Sequence, residues 1–243
     1  MGELKIMPTI YQNSVTAFVD LLGFSEALKI EENAHEILTI LHQFKGSEKK
    51  TSDAKAEVKQ QTTEIKVTPS ISAFSDNLLI SVSEKIFDDT VSWRHAVIEI
   101  LNVIQQVANL VIQKGFLIRG GITVGNLHHE NGIAFGPAFV EAYQLESKQA
   151  KYPRILASND IVDIFNSDKN GGTQNCFLQD TDGRYYLDYL PTALRYSSQP
   201  DTYQAIIQAK INELTNLPAK DEDTQKILDK WIWFAGYHQR SIE

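Results

Sequence analysis

Residues 17–28, AFVDLLGFSEAL, hold one aspartate, Asp20, in a run that otherwise reads as a buried β-strand. A carboxylate in such surroundings has to be met by a metal ion, a cation or a dense set of hydrogen bonds, because burying it unpaired is costly. Gly23 and Ser25 follow at once, a sharp turn and a helix N-cap. A strand therefore ends on a carboxylate where the free N–H groups of a starting helix point the same way. Carboxylate and anion cradle together suit a metal ion and a phosphate.

The rest of the chain supplies a sheet for this strand, which spans about 14–22. The helix capped by Ser25 keeps Leu28, Ala34, Ile37, Leu38, Leu41 and Phe44 at helical spacing until Gly46. Residues 46–67 turn to Lys, Glu, Ser, Thr and Gln and read as a mobile polar insertion. In 69–83, PSISAFSDNLLISVS, strand-like arms flank Ser75, Asp76 and Asn77, which predicts a β-hairpin with a second aspartate at its tip. Asp89 or Thr90 can cap the next helix, whose stripe of Val97, Ile100, Leu101, Ile104, Val107, Ala108 and Val111 runs to Gly115. A strand over 116–124, a hairpin arm near 132–135 and a helix over 137–150 opened by Pro137 follow.

That order predicts an α+β fold, a mainly antiparallel sheet with helices on one face. Further on come a short strand over 152–157, a short helix capped by Asn159 and a hairpin across the DTDG turn at 180–183. Two C-terminal helices, over 204–217 and 223–239, complete the chain. We expect a core over 1–160 and a C-terminal extension, 161–243, packed on it.

The formal net charge of −8 argues against binding nucleic acid or acidic membranes, which rests on phosphate neutralisation by Lys and Arg. A polyphosphate ligand should thus be small and locally held. The single cysteine, Cys176, excludes an intrachain disulfide and a cysteine zinc cluster, and no secretory leader opens the chain. The apolar run 97–118 carries Glu99, Asn102, Gln105, Gln106, Asn109, Gln113 and Lys114, too many polar groups for a membrane span. A cytoplasmic protein is the expectation.

If the first strand pairs with the hairpin, Asp20 and Asp76 can lie side by side, and two close carboxylates stay ionised only with a cation between them. Hard oxygen donors without cysteine point to Mg²⁺ or Mn²⁺. Arg119 and Arg154 are candidate phosphate contacts, although an arginine on a strand more often pairs with a carboxylate. Tyr143 is either core or a stacking surface for a base. His128 and His129 alternate faces at a hairpin tip and make a poor metal site.

The chain resembles the class III nucleotidyl cyclases in AFVDLLGFSEAL, FSDNLLIS, LIRGGITVG and GPAFVEAYQLESKQA, in that order and spacing, over about residues 14–160. The resemblance implies a ferredoxin-like catalytic domain in which Asp20 and Asp76 bind two metal ions with the Leu21 carbonyl as a further ligand. It also implies that the backbone from Leu22 through Gly23 and Phe24 to Ser25 holds the triphosphate. Where purine cyclases carry a base-reading lysine and aspartate, this chain has Ser72 and Ile133. Their transition-state asparagine and arginine fall on Val140 and Gln144, which leaves Arg119 and Arg154 to supply positive charge. AYQLESKQAKYPRI and WIWFAGYHQR look like the uridylate and cytidylate cyclases of bacterial Pycsar antiphage systems. That likeness implies a cytoplasmic homodimer making cUMP or cCMP from UTP or CTP for a separate effector protein. A degenerate cyclase domain that senses a nucleotide without turnover is the alternative, and a purely structural partner-binding domain would leave both aspartates unexplained.

Overall fold

The computed structural model describes residues 9–24, 29, 31, 35, 67–87, 91–168, 175–190, 200–218 and 221–242. The helix expected after Ser25, apart from isolated positions, and the polar insertion up to residue 66 lie outside the described residues.

Strand β1, Gln12–Leu22, is central because its β-branched and aromatic residues are buried on both faces. Val15, Ala17, Val19 and Leu21 join the main apolar core, whereas Phe18 belongs to a smaller cluster with Leu79 and Ala142. On one side β1 pairs antiparallel with β3, Asn77–Ser83, which pairs in turn with β2, Ser70–Phe74. On its other side lies β4, Leu117–Glu130, also antiparallel. The order β2-β3-β1-β4 is that of a ferredoxin-like sheet, as expected.

Helix α1, Trp93–Ile112, connects β3 to β4 and buries Val97, Ile100, Leu101, Ile104, Val107, Ala108 and Val111. By length and composition it passes as a membrane span, contrary to the reading of its polar interruptions, but its apolar stripe is spent on the core. Ser92, rather than Asp89 or Thr90, caps it; the Ser92 backbone N–H donates to His95 Nδ1 at 3.2 Å.

After β5, Ile133–Phe135, which hairpins onto β4, Gly136 leads into α2, Pro137–Gln144. The helix then loosens into a π turn, Leu145–Gln149. Helix α2 crosses the sheet face opposite α1, Ala142 meeting Phe18 and Leu79 there. Its approach depends on Gly121, where a Cβ would stand 2.3 Å from the Ala142 carbonyl oxygen and 2.5 Å from Leu145 Cβ. Glycine is thus required by packing at this point.

Beyond residue 150 the same sheet continues. Strand β6, Ile155–Ala157, lies parallel to β4, and the hairpin of β7, Phe177–Gln179, and β8, Tyr185–Leu187, extends it. Helix α3, Asn159–Ser167, is capped by Ser158, not Asn159, the Ser158 hydroxyl accepting from Ile161 N at 3.3 Å. Helices α4, Pro200–Thr215, and α5, Glu222–Ile242, pack on each other. Tyr203, Trp231, Phe234 and Tyr237 are buried in the main core, so helices α4 and α5 share one core with the first strands. The Tyr237 hydroxyl donates to Asp188 and accepts from the Tyr189 and Leu190 amides at 2.8 and 3.1 Å.

Candidate active site

The register of β1 brings the two aspartates to one end of the sheet. Asp20 stands between Asn77 of β3 and Arg119 of β4. Asp76 lies in the turn from β2 to β3, where Ser75 adopts a φ of 57°. The Leu21 amide donates to the Asp76 carbonyl at 3.0 Å, which ties the turn to the end of β1. Asn77 steadies the Asp76 carboxylate through a 2.9 Å bond from its side-chain amide. Burial raises the pKa of Asp20, and the Asp76 charge adds to the rise against the opposing pull of Arg119.

Arg119 is the cation at this point. Its guanidinium donates to Asp20 at 3.3 Å and to the Ala150 carbonyl at 3.3 Å, and it forms an ion pair with Glu146. Glu146 sits in the π turn, nearly excluded from solvent, and burial raises its pKa with further contributions from Asp20 and Asp76. Three carboxylates therefore feel one another around one guanidinium. π turns recur where a helix must redirect a side chain, and this one carries Glu146 to Arg119. Sequence reading passed over Glu146 because a regular helix over 137–150 gives no sign of such a turn.

Among the described residues, no group of three or more His, Cys, Asp or Glu side chains is arranged to hold a metal ion. Asp20 and Asp76 nevertheless suit Mg²⁺ or Mn²⁺, which typically take one or two protein carboxylates and complete their shell with water and substrate phosphates. The donor set is hard oxygen throughout, and Glu146 is already engaged by Arg119. Next to Asp20, Leu22 is half-buried, Gly23 turns the chain with φ 91° and Phe24 is buried, while Ser25 lies outside the described residues. The Leu21 side chain is in the core.

Beside the aspartates an apolar groove of about 360 Å³ is lined by Phe18, Phe74, Asn77, Phe139, Val140 and Tyr143. Tyr143 is 48% exposed and stands edge-on to Phe18, so it is a surface of this groove rather than core. Val140 and Gln144 are exposed on α2. Ser72, one row along the sheet from Phe74, shares a 2.8 Å hydrogen bond with His129 Nε2, and Ser81 shares another with Nδ1. Burial, helped by His128, brings the His129 pKa down to about 4, which leaves a neutral ring at pH 7. Ile133 stands apart on β5, exposed.

Arg154 goes elsewhere. It is 1% exposed and its guanidinium is paired with Asp180 and Asp182 of the DTDG turn. Trp233 of α5 donates to Asp180 at 3.2 Å and stacks on Tyr152. Helix α5 in this way reaches the strand ends near Asp20, and Lys230, half-buried one turn before Trp233, contributes a favourable charge to the Asp20 carboxylate. No local pattern in the C-terminal sequence marks this lysine.

No family model matches the chain, and no curated protein does. Solved structures do. The adenylyl cyclase CyaB from P. aeruginosa is 14% identical with a TM-score of 0.46, over 73% of this chain and 93% of that one. A bacterial light-regulated adenylyl cyclase is 14% identical with a TM-score of 0.44, over 86% of this chain and 59% of that one. An adenylate/guanylate cyclase/hydrolase from Silicibacter pomeroyi is 17% identical with a TM-score of 0.41, over 72% and 95%. Likeness at this level assigns no activity.

Proposed function

We propose that the protein is a metal-dependent nucleotidyl cyclase that converts UTP or CTP into the 3′,5′-cyclic monophosphate and pyrophosphate. The observation that carries this reading is the placement of Asp20 and Asp76 together at the end of a ferredoxin-like sheet, beside an aromatic groove. Mg²⁺ or Mn²⁺, two ions held by Asp20, Asp76 and the Leu21 carbonyl, would supply Lewis acidity toward the ribose 3′-hydroxyl and offset the triphosphate charge. The hydroxyl oxygen then bonds to the α-phosphorus in line and gives its proton to solvent water, and the bond from the α-phosphorus to the bridging oxygen breaks with its electrons leaving on pyrophosphate. The backbone from Leu22 to Ser25 receives the phosphates, and Arg119 orients the Asp20 carboxylate. Most of the rate enhancement is positioning and electrostatics.

Ser72 and Ile133 in place of a lysine and an aspartate favour a pyrimidine. Each buried polar group of a purine edge left unmatched costs about 1–3 kcal/mol, so two such groups can disfavour ATP and GTP by about a hundredfold or more. Tyr143 and Phe74 offer the base a stacking wall. Incubating the protein with each of the four NTPs and Mn²⁺, with products read by mass spectrometry, should yield cUMP or cCMP. More cAMP or cGMP than pyrimidine product would overturn the base assignment.

Phe74, Ile133, Phe135, Val140 and Tyr143 are large apolar side chains exposed on the β-hairpins and α2, which supports a homodimer. Specific activity should then fall on dilution. Constant activity from a species that sediments as a monomer at every concentration would place the whole site in one chain. In this reading the enzyme is cytoplasmic, touches neither membrane nor nucleic acid, and signals to a separate effector protein in antiphage defence. Val140 and Gln144 favour one alternative, a nucleotide sensor without turnover, and nucleotide binding with no cyclic product in the same assay would select it.

A further inference from the structure

We propose that His129 is a specificity-determining residue of the base site: the hydrogen-bonded chain Ser81, His129, Ser72 can reverse its direction, so that the Ser72 hydroxyl donates to one pyrimidine and accepts from the other, and UTP and CTP are both bound. The ligand rests on the cyclase reading, the relay on contacts. Strand pairing sets Ser72 opposite Leu79, and Leu79 opposite Phe18 of the aromatic groove. Ser72 therefore lies on the groove's own face of the sheet, about 7 Å along β2 from Phe74. Ser81, on the same face, stands level with Thr16 and Thr123, well before His129 on β4. The end of β4 thus curls back over the sheet and brings the imidazole to both serines, at 2.8 Å from each hydroxyl. Ser72 and His129 together line a cavity of about 310 Å³ with Thr68, Ser70 and Asn131, at the lower end of the range for small-molecule sites.

A neutral imidazole carries one N–H and one bare nitrogen, and a hydroxyl both donates and accepts. With the proton on Nε2, His129 donates to Ser72 and accepts from Ser81, and the Ser72 O–H is left to donate to the ligand. With the proton on Nδ1, His129 donates to Ser81 and accepts from Ser72, and the Ser72 oxygen is left to accept. Which nitrogen holds the proton follows from the partner at the far end of the chain. Uracil offers an acceptor at O4 and a donor at N3, whereas cytosine offers a donor at N4 and an acceptor at N3. One hydroxyl can therefore satisfy either edge. The ring has to be neutral for this, because an imidazolium donates to both serines and leaves Ser72 the donor role alone. Burial, with His128 assisting, holds the His129 pKa at about 4. Ser81 is 4% exposed, which keeps water from taking its place on Nδ1.

The test uses the full chain with Mg²⁺ and the 3′-deoxy forms of UTP and CTP, which lack the attacking hydroxyl, and inorganic tripolyphosphate as a probe without a base. Calorimetry on wild type should find the two nucleotides within about tenfold of each other. Ser72→Ala and His129→Leu should each weaken both by about tenfold, the worth of one hydrogen bond, and leave tripolyphosphate affinity unchanged. His129→Gln, whose amide can also turn either way, should keep more of the affinity than His129→Leu. A histidine that only holds the hairpin in place would move nucleotide and tripolyphosphate alike, or neither. Nitrogen-15 spectra of wild-type protein labelled at histidine, with the His129 signal identified by its loss in His129→Gln, should show the ring proton on one nitrogen with the uracil nucleotide and on the other with the cytosine nucleotide. The same tautomer in both complexes, or nucleotide affinities unmoved in His129→Leu, would overturn the relay. Cyclic pyrimidine product accompanied by a fixed tautomer would do so while leaving the cyclase reading in place. Relay-dependent binding of both analogues with no cyclic product from UTP or CTP would uphold this inference and remove the proposed turnover.

Discussion

Asp20→Asn and Asp76→Asn should each lower cyclic nucleotide formation by a thousandfold or so, since each removes a ligand from a metal site worth several kcal/mol to the transition state. Neither change should unfold the protein. The folded-state pKa of Asp20 is raised, by burial first, so its ionisation opposes folding: the stability is fully present below the ordinary aspartate pKa and is lost as the pH rises through the raised one. Asparagine at position 20 escapes that loss. Asp20→Asn should therefore melt at or above the wild-type temperature at pH 7, and the difference should vanish below about pH 4. Product assays alongside melts across pH measure both effects. Wild-type rates in either variant would remove the two-aspartate mechanism, and a lower melting point for Asp20→Asn at pH 7 would mean that its bond to Arg119 outweighs its burial.

Arg154→Ala is expected to destabilise the fold by about 3–5 kcal/mol, the range for removing one partner of a buried ion pair. The guanidinium bridges Asp180 and Asp182, and its loss leaves the largely buried Asp180 carboxylate with only the neutral Trp233 indole and Thr181 hydroxyl as side-chain donors. The Arg154 hydrogen bond also holds the Asp182 carboxyl below the usual carboxylate range. That contribution is present above the ordinary aspartate pKa and fades as the pH falls through the depressed one, so the gap between wild type and Arg154→Ala should narrow in acid. Chemical denaturation at pH 7 and in acid measures it. An unchanged denaturation midpoint combined with lost turnover would return Arg154 to the chemistry and make its pairing with the DTDG turn incidental.

Arg119 and Arg154 show where reading by sequence stops. Both were candidates for phosphate contact on residue type and neighbourhood, yet their partners are set by strand register. Arg119 meets Asp20 from 99 positions away and Arg154 meets Asp180 from 26. Glu146 reaches Arg119 through a π turn that no sequence pattern marks. Capping behaves likewise: Ser92 and Ser158 stand at the N-caps in place of Asp89 or Thr90 and of Asn159.

What the amino-acid sequence determined by itself were features written over a few residues. The continuous apolar, β-branched run of β1, the helical spacing in α1, the turn chemistry of Ser75, Asp76 and Asn77 and the proline opening α2 each bias the local backbone whatever lies across the core. Asp20 stood out for the same reason, as one charge in an apolar run. The tertiary structure alone decided which charges meet, which face α2 covers and how the end of the chain reaches the site. Those are pairings between distant segments, set by register and by packing such as the passage of α2 over Gly121, where a Cβ would stand 2.3 Å from the Ala142 carbonyl oxygen, and no local pattern encodes them.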